Sequence, residues 1–254
     1  MIFNLNSYQQ LLTRITSHGF KFVAKPTFGA GEILLRHDID FSLKASMPMA
    51  RLENQAGIRA TYFVMISNDF YSLLNLESKN QLLELIELGH SIGLHFDTSA
   101  YISESLPSSL KSEMQLLQNV SGKEVSSYSE HQPTLNGINR IAIPELTNMY
   151  SPEIMSQYKY LSDSCMSPRE EWEESFIKEK RVQLLVHPEY WTLACSDISD
   201  FGEKFRTIIS KEKVDTIDNA IKIMQSTLLN RNKLDKKVLN AFADLDANDS
   251  NEKN

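Results

Sequence analysis

Short apolar and aromatic runs recur at residues 32–40, 60–66, 90–97, 125–131, 158–163 and 181–187, separated by stretches whose apolar residues have helical spacing. Runs of this length suit strands, and strands that alternate with helices are joined by crossovers that leave neighbours parallel. A parallel sheet is covered on both faces, so its central strands read as nearly continuous apolar stretches, as Arg181-Val-Gln-Leu-Leu-Val-His187 does. The pattern therefore predicts an α/β fold with a mainly parallel sheet or barrel. There is no internal repeat, no GxGxxG and no P-loop.

Within that frame the stretch Gly31-Glu-Ile-Leu-Leu-Arg-His-Asp-Ile-Asp40 stands out, an apolar run ending in two aspartates one residue apart. Successive side chains on a strand point to opposite faces, so Asp38 and Asp40 share one face while His37 and Ile39 share the other. Two carboxylates meeting at a strand end repel unless a cation or a shared proton relieves them. Such a pair is a metal site, an acid/base pair, or a strand running into an Asp-rich turn.

The spacing predicts helices from about Tyr8 to His18, over Phe41 to Gly57, from Ser78 to Leu88, over Leu110 to Leu117, and at about Phe201 to Ser210 and Ile217 to Asn230. Gly19 and Gly89 are placed as C-caps, Ser78 and Gln81 as a capping box, and Pro48 inside the second segment predicts a kink or a late start. Phe20 to Val23 reads as a short strand, and 141–155 carries no clear period.

With 254 residues, 41% of them hydrophobic, the chain can bury a full core, and residues 1–240 are expected to form a single domain. Residues 241–254, Asp/Asn-rich and poor in apolar groups, are expected to be disordered. A net charge of −7 with no Lys/Arg stripe disfavours nucleic acid and anionic membranes as partners. No run approaches the length of a membrane span and no secretion signal is legible, so a cytoplasmic protein is expected. Cys165 and Cys195 lack the spacing of a zinc cluster and read as small apolar residues.

In a parallel barrel the C-terminal ends of the strands form the rim where loops converge and polar side chains leave the packed interior. Asp38 and Asp40 end the first core strand, His95 the third, His131 the fourth, Asp163 the fifth and His187 the last. His90, at the start of its strand, points away from the face of His95 and reads as structural. A lone strand-end histidine is ordinarily a packing residue, but three that converge with three carboxylates have the composition of a catalytic zinc-type site.

Arg36-His-Asp-Ile-Asp40, Ala60-Thr-Tyr-Phe-Val64, Gly89-His-Ser-Ile-Gly-Leu-His95, Tyr160-Leu-Ser-Asp-Ser164 and Leu184-Leu-Val-His-Pro188 follow one another in family order. From about residue 32 to 191 the chain thus resembles the polysaccharide deacetylase superfamily (NodB-homology, carbohydrate esterase 4-like). The resemblance implies a distorted (β/α) barrel of mainly parallel strands and a metal-dependent hydrolase that removes acetyl groups from N-acetylated sugars. It implies Asp38 as general base, Asp40 and His95 as ligands of a divalent metal, zinc being the expected ion, His187 as general acid and Asp163 as its orienting partner. A backbone N–H after the aspartate motif is expected to help stabilise the oxyanion.

The family's second metal histidine lies four residues after the first, where this chain has Ser99, a poor zinc ligand. His131 is the candidate to complete an Asp40, His95, His131 set; alternatively it replaces the family's base-holding arginine and only positions Asp38. Tyr190 and Trp191 are candidates for stacking on a sugar face or for packing beneath the rim. Arg36 is a candidate for neutralising a substrate phosphate or for pairing with a barrel carboxylate. With no secretion signal, the expected substrate is an N-acetylated sugar or sugar nucleotide bound for a surface polysaccharide. Two other readings are a catalytically degenerate carbohydrate-binding barrel, suggested by Ser99, and a hydrolase of a different small amide.

Overall fold

The structure is a computed structural model that describes residues 2–223 except 67, 137–140, 169–170 and 219–220. Its strands are β1 (Lys21–Val23), β2 (Glu32–Ile39), β3 (Thr61–Val64), β4 (Ser91–Phe96), β5 (Ser127–Glu130), β6 (Thr147–Asn148), β7 (Lys159–Ser162) and β8 (Arg181–Val186). The helices are α1 (Leu5–Ser17), α2 (Leu43–Gln55), α3 (Leu76–Glu87), α4 (Leu106–Ser121), α5 (Pro133–Asn136), α6 (Pro152–Gln157), α7 (Trp172–Lys178) and α8 (Pro188–Thr192). Residues 198–218 are also helical. Packing divides the chain at Lys204: the unit Met1–Lys204 holds the whole sheet, and the unit Phe205–Asn254 is helical over 205–218 and 221–223. The expected tail at 241–254 and most of the helix expected at Ile217 to Asn230 lie outside the described residues.

Every strand pairing is parallel, in the order β6-β5-β4-β3-β2-β8-β7 with β1 added to β2. The sheet curls into a half-barrel, because Arg36 on β2 reaches Ser129 on β5 at 2.7 Å although β3 and β4 lie between them. Among the described residues β6 and β7 share no ladder; near that seam the Tyr150 and Tyr160 hydroxyls stand 3.4 Å apart.

β2 is buried along its full length. Its inner face carries Leu34, which packs with Phe63, Met149, Ile154 and Tyr158, and then Arg36 and Asp38. Phe63 lies across Gly93, where any Cβ would collide with the ring, so glycine two residues before His95 lets the aromatic ring fill the barrel under the site. At the N-terminal end Glu32 accepts from Thr27, from the Gly29 amide at 2.9 Å and from the Tyr158 hydroxyl at 2.7 Å. This ties the loop before β2 across the base of the barrel.

Element types follow the sequence closely, with corrections at the ends. Asn75, not Ser78, caps α3, its side chain accepting from the Ser78 amide at 2.8 Å. α2 starts early, with Ser42 as its cap, and passes through Pro48, where no amide is available for the turn before it. α4 extends well beyond the expected Leu110 to Leu117, starting with Pro107 in its first turn and ending at Gly122 in the left-handed region. The unpatterned 141–155 contains β6 and the start of α6. Among the described residues no helix is long and apolar enough to cross a membrane.

The outer face of β2 is held by a buried carboxylate. Glu53 of α2 meets His37 Nε2 at 2.7 Å and accepts from the hydroxyls of Tyr62, at 2.8 Å, and Tyr8. Burial would raise its carboxyl, but His37, with His90 and the Tyr8 hydroxyl, lowers it below the usual value. Removing one partner of such a group leaves the others buried without it, so Glu53→Ala is expected to cost about 3–5 kcal/mol in urea unfolding. A carboxyl lowered by folding stabilises in full above its unfolded value, about pH 4.3, and that contribution fades as pH falls through the folded value. The stability difference between wild type and Glu53→Gln should therefore shrink in acid.

Candidate active site

β2 delivers three inner-face residues in ascending order. Arg36, fully buried, donates from Nη2 to Asp38 Oδ2 at 2.8 Å, to Ser129 Oγ at 2.7 Å and to the Tyr150 hydroxyl at 2.9 Å. Ser129 Oγ adds a hydrogen bond to the same Asp38 oxygen at 3.0 Å. Burial acts to raise the Asp38 carboxyl, but Arg36, His95 and His187 outweigh it and hold the group below its ordinary range. Asp38 Oδ1 is buried and takes no hydrogen bond, so one oxygen is anchored and the other is open to a proton.

Two residues on, Asp40 meets the histidines. His95 comes from the end of β4, with Nδ1 facing the Ser129 carbonyl at 3.1 Å. A nitrogen facing a carbonyl carries a ring hydrogen, so Nε2 is the nitrogen that a cation could take. His131 follows β5 and is fixed by its backbone amide, which donates to the Phe96 carbonyl at 2.8 Å. Its Nδ1 lies 3.0 Å from His95 Nε2 and 3.4 Å from Asp40 Oδ1, and His95 Nε2 lies 3.1 Å from the same oxygen.

Burial would raise the Asp40 carboxyl, yet His131, His95 and His187 hold it well below the usual range. Burial would lower the His131 imidazole, and Asp40 raises it instead. Three donor atoms this close need a proton or a cation among them. Bonds of about 2.0–2.1 Å to a tetrahedral ion separate neighbouring ligand atoms by about 3.3 Å, and a carboxylate with two imidazoles is a common zinc-type set. Asp40, His95 and His131 thus fit a divalent cation with one coordination position left open.

His187 and Asp163 face this group from the other wing of the sheet. Asp163 Oδ1 meets His187 Nδ1 at 2.6 Å, and both of its oxygens lie 3.1 Å from the His187 amide. Burial would lower the His187 imidazole, but Asp163, with Asp40 and Asp38, raises it to about 10. The ring thus holds its proton through neutral pH, with Nε2 turned toward Asp40 Oδ2 at 3.8 Å.

Arg36, Trp191 and Tyr190 are all buried, which bears on the alternatives open to them. Arg36 is sealed beneath Asp38 at 0% exposure, so it pairs with a barrel carboxylate and is not placed to meet a substrate phosphate. Trp191 is 1% exposed and packs edge-on to Phe3 and Tyr8, with Nε1 donating to Asp163 Oδ2 at 2.8 Å; it lies below the rim, not on a sugar-facing surface. Tyr190 is 5% exposed and packs against His187 and Phe201, so it too takes the packing role. The amide that follows the aspartate motif, Phe41 N, donates to Glu189 Oε1 at 3.1 Å and is not presented to an oxyanion. Ser99 bonds through Oγ to Asp97 Oδ1 at 2.7 Å, within its own turn.

Ser129, Tyr150 and Glu189 are site residues that the sequence did not single out. Ser129 stands two residues before His131 and Glu189 two after His187, a spacing that marks both. Tyr150 follows a two-residue strand in the unpatterned segment and has no local signal.

No protein-family model matches the chain, and no curated protein does. Among solved structures it is similar to a family 4 carbohydrate esterase from Bacillus anthracis, at 17% identity over 84% of this chain and 92% of that one, with a TM-score of 0.40. It is also similar to the chitin deacetylase of the fungal pathogen Colletotrichum lindemuthianum, at 14% identity, 74% and 86% coverage and a TM-score of 0.42. A third is a family 4 pseudoenzyme from Bacillus anthracis, at 9% identity, 75% and 64% coverage and a TM-score of 0.43. The architecture itself is defined by the strand order and register given above.

The two roles open to His131 differ in what its removal does to metal affinity. As a ligand, its replacement in His131→Ala should lower zinc or cobalt affinity by about 100-fold or more, as should His95→Ala, both read by competition with a chromogenic chelator. As a mere support for Asp38, His131→Ala would leave metal affinity within about threefold of wild type.

Proposed function

We propose that the chain is a metal-dependent hydrolase that removes the acetyl group from an N-acetylated sugar or sugar nucleotide. The observation that carries the reading is the placement of Asp38 and the His187–Asp163 pair on either side of the Asp40, His95, His131 cradle. A base and an acid that share one rim with a cation site are the parts that amide hydrolysis requires. The motif order of the sequence directs that chemistry to acetamido sugars. Surface polysaccharide assembly is the setting proposed for such a substrate.

Asp40, His95 and His131 would hold a divalent cation, whose chemistry there would be that of a Lewis acid toward a carbonyl and a water. Asp38, anchored through Oδ2 by Arg36 and Ser129, accepts the water's proton on Oδ1. His187 then gives its Nε2 proton to the departing nitrogen, since an amide nitrogen is too basic to leave as an anion. Asp163 holds the ring in orientation through Nδ1 and offsets the charge of the protonated form.

The test is acetate release by zinc-loaded protein from free, oligomeric and nucleotide-linked N-acetylhexosamines, beside cyclic and linear small amides. Turnover of an acetamido sugar is expected, with kcat reduced about 10²–10⁴-fold in Asp38→Ala and in His187→Ala at unchanged zinc content. Glycan binding without turnover would establish the binding barrel instead. Turnover confined to small amides would move the activity to that class.

A further inference from the structure

α8 is a five-residue helix immediately after His187, and three of its consecutive side chains run to three different parts of the site. Trp191 donates to Asp163, Tyr190 lies with its ring centroid 5.3 Å from that of His187, and Glu189 crosses to the turn that follows Asp40. There a single oxygen, Glu189 Oε1, accepts two consecutive backbone amides, Phe41 N and Ser42 N, each at 3.1 Å. The side chain is fully buried and Oε2 takes no hydrogen bond. Ser42 is itself the cap of α2, its hydroxyl accepting from the Ala45 amide at 3.2 Å. The amides held by Glu189 therefore belong to the two residues that link Asp40 to α2.

The geometry points to Glu189 as a positioning residue that fixes the turn bearing Asp40 in register with the loop bearing His187, and so sets the cation cradle. The inference rests on the proposed metal site. No described hydrogen bond of Asp40's own backbone to the His187 loop does this work; the Asp40 carbonyl is held from the other side, by Asn68 Nδ2 at 2.9 Å. The carbonyl and the amide of the one peptide that joins Asp40 to Phe41 are thus each held, the amide by a carboxylate inserted from the acid-bearing strand end.

A rival account is that Glu189 only adds negative charge near a cation. The two accounts differ for Glu189→Gln, which keeps an accepting oxygen and loses the charge. Burial and the nearby Asp40 raise the Glu189 carboxyl to about 7, and its neutral form also keeps an accepting oxygen.

Cobalt(II) affinity by chelator competition and amide hydrogen exchange across residues 40–43 would be measured on wild type, Glu189→Ala and Glu189→Gln. Circular dichroism would confirm the folded state of each. Glu189→Ala is expected to weaken cobalt about 10- to 100-fold and to speed exchange at Phe41 and Ser42, while Glu189→Gln stays within about threefold of wild type in both. Equal affinity in wild type and Glu189→Ala, or equal losses in both variants, would overturn the positioning role. If wild type binds no metal, the cradle reading falls, while exchange at Phe41 and Ser42 still reports whether Glu189 holds the turn.

Discussion

Two carboxylates on one face of a single buried strand set the terms for the rest of the molecule. Side chains two residues apart on a strand are neighbours, so the charges of Asp38 and Asp40 reinforce each other in a place with little water. The fold answers with a different device for each. Asp38 has a permanent guanidinium directly below it on its own strand, braced by Ser129, Tyr150 and Gln183. Asp40 has the imidazoles of His95, His131 and His187 around it, groups that also bind cations. The lower carboxylate is thereby paired with a fixed charge through one oxygen and keeps the other open, and the upper one stands where a cation can join its imidazoles.

Holding that arrangement takes rigidity on the other side of β2. The outward residue between Arg36 and Asp38 is His37, whose ring nitrogens face Glu53 and the Val186 carbonyl. Glu53 in turn gathers Tyr8 from α1 and Tyr62 from β3, so one buried carboxylate joins two helices and two strands behind the site. A polar network with its members hydrogen-bonded specifies geometry more sharply than an apolar contact of the same size. α8 performs the corresponding role at the rim through Glu189, Tyr190 and Trp191, and both supports converge on the segment from His37 to Ser42.

The sequence made the class of fold legible because parallel strands buried on both faces leave continuous apolar runs, and 181–187 and 32–39 did so most clearly. Alternation along 36–40 placed Arg36, Asp38 and Asp40 on one face, as the structure has them. What local pattern does not encode is who meets whom across the barrel. Tyr150 reaches Arg36 only because the sheet curls, and nothing in 141–155 announces it. Tyr190 and Trp191 follow His187 directly and suggest a sugar platform, but the turn of α8 directs them inward against Phe201, Phe3 and Tyr8. The α3 cap was displaced by three residues because Asn75 and Ser78 are both good caps, and the choice between them depends on where the preceding loop arrives.

The seam between β6 and β7 bears on how the cavity adapts. A closed cylinder of strands has a circumference set by its amide ladders, and widening it requires a whole series of them to give way. Here the described contact between Tyr150 and Tyr160 is one pair of phenol oxygens 3.4 Å apart, at the edge strand two places from β2. Spreading the wall at that gap would break no ladder among the described strands, but it would pull on Tyr150, which also meets the guanidinium beneath Asp38.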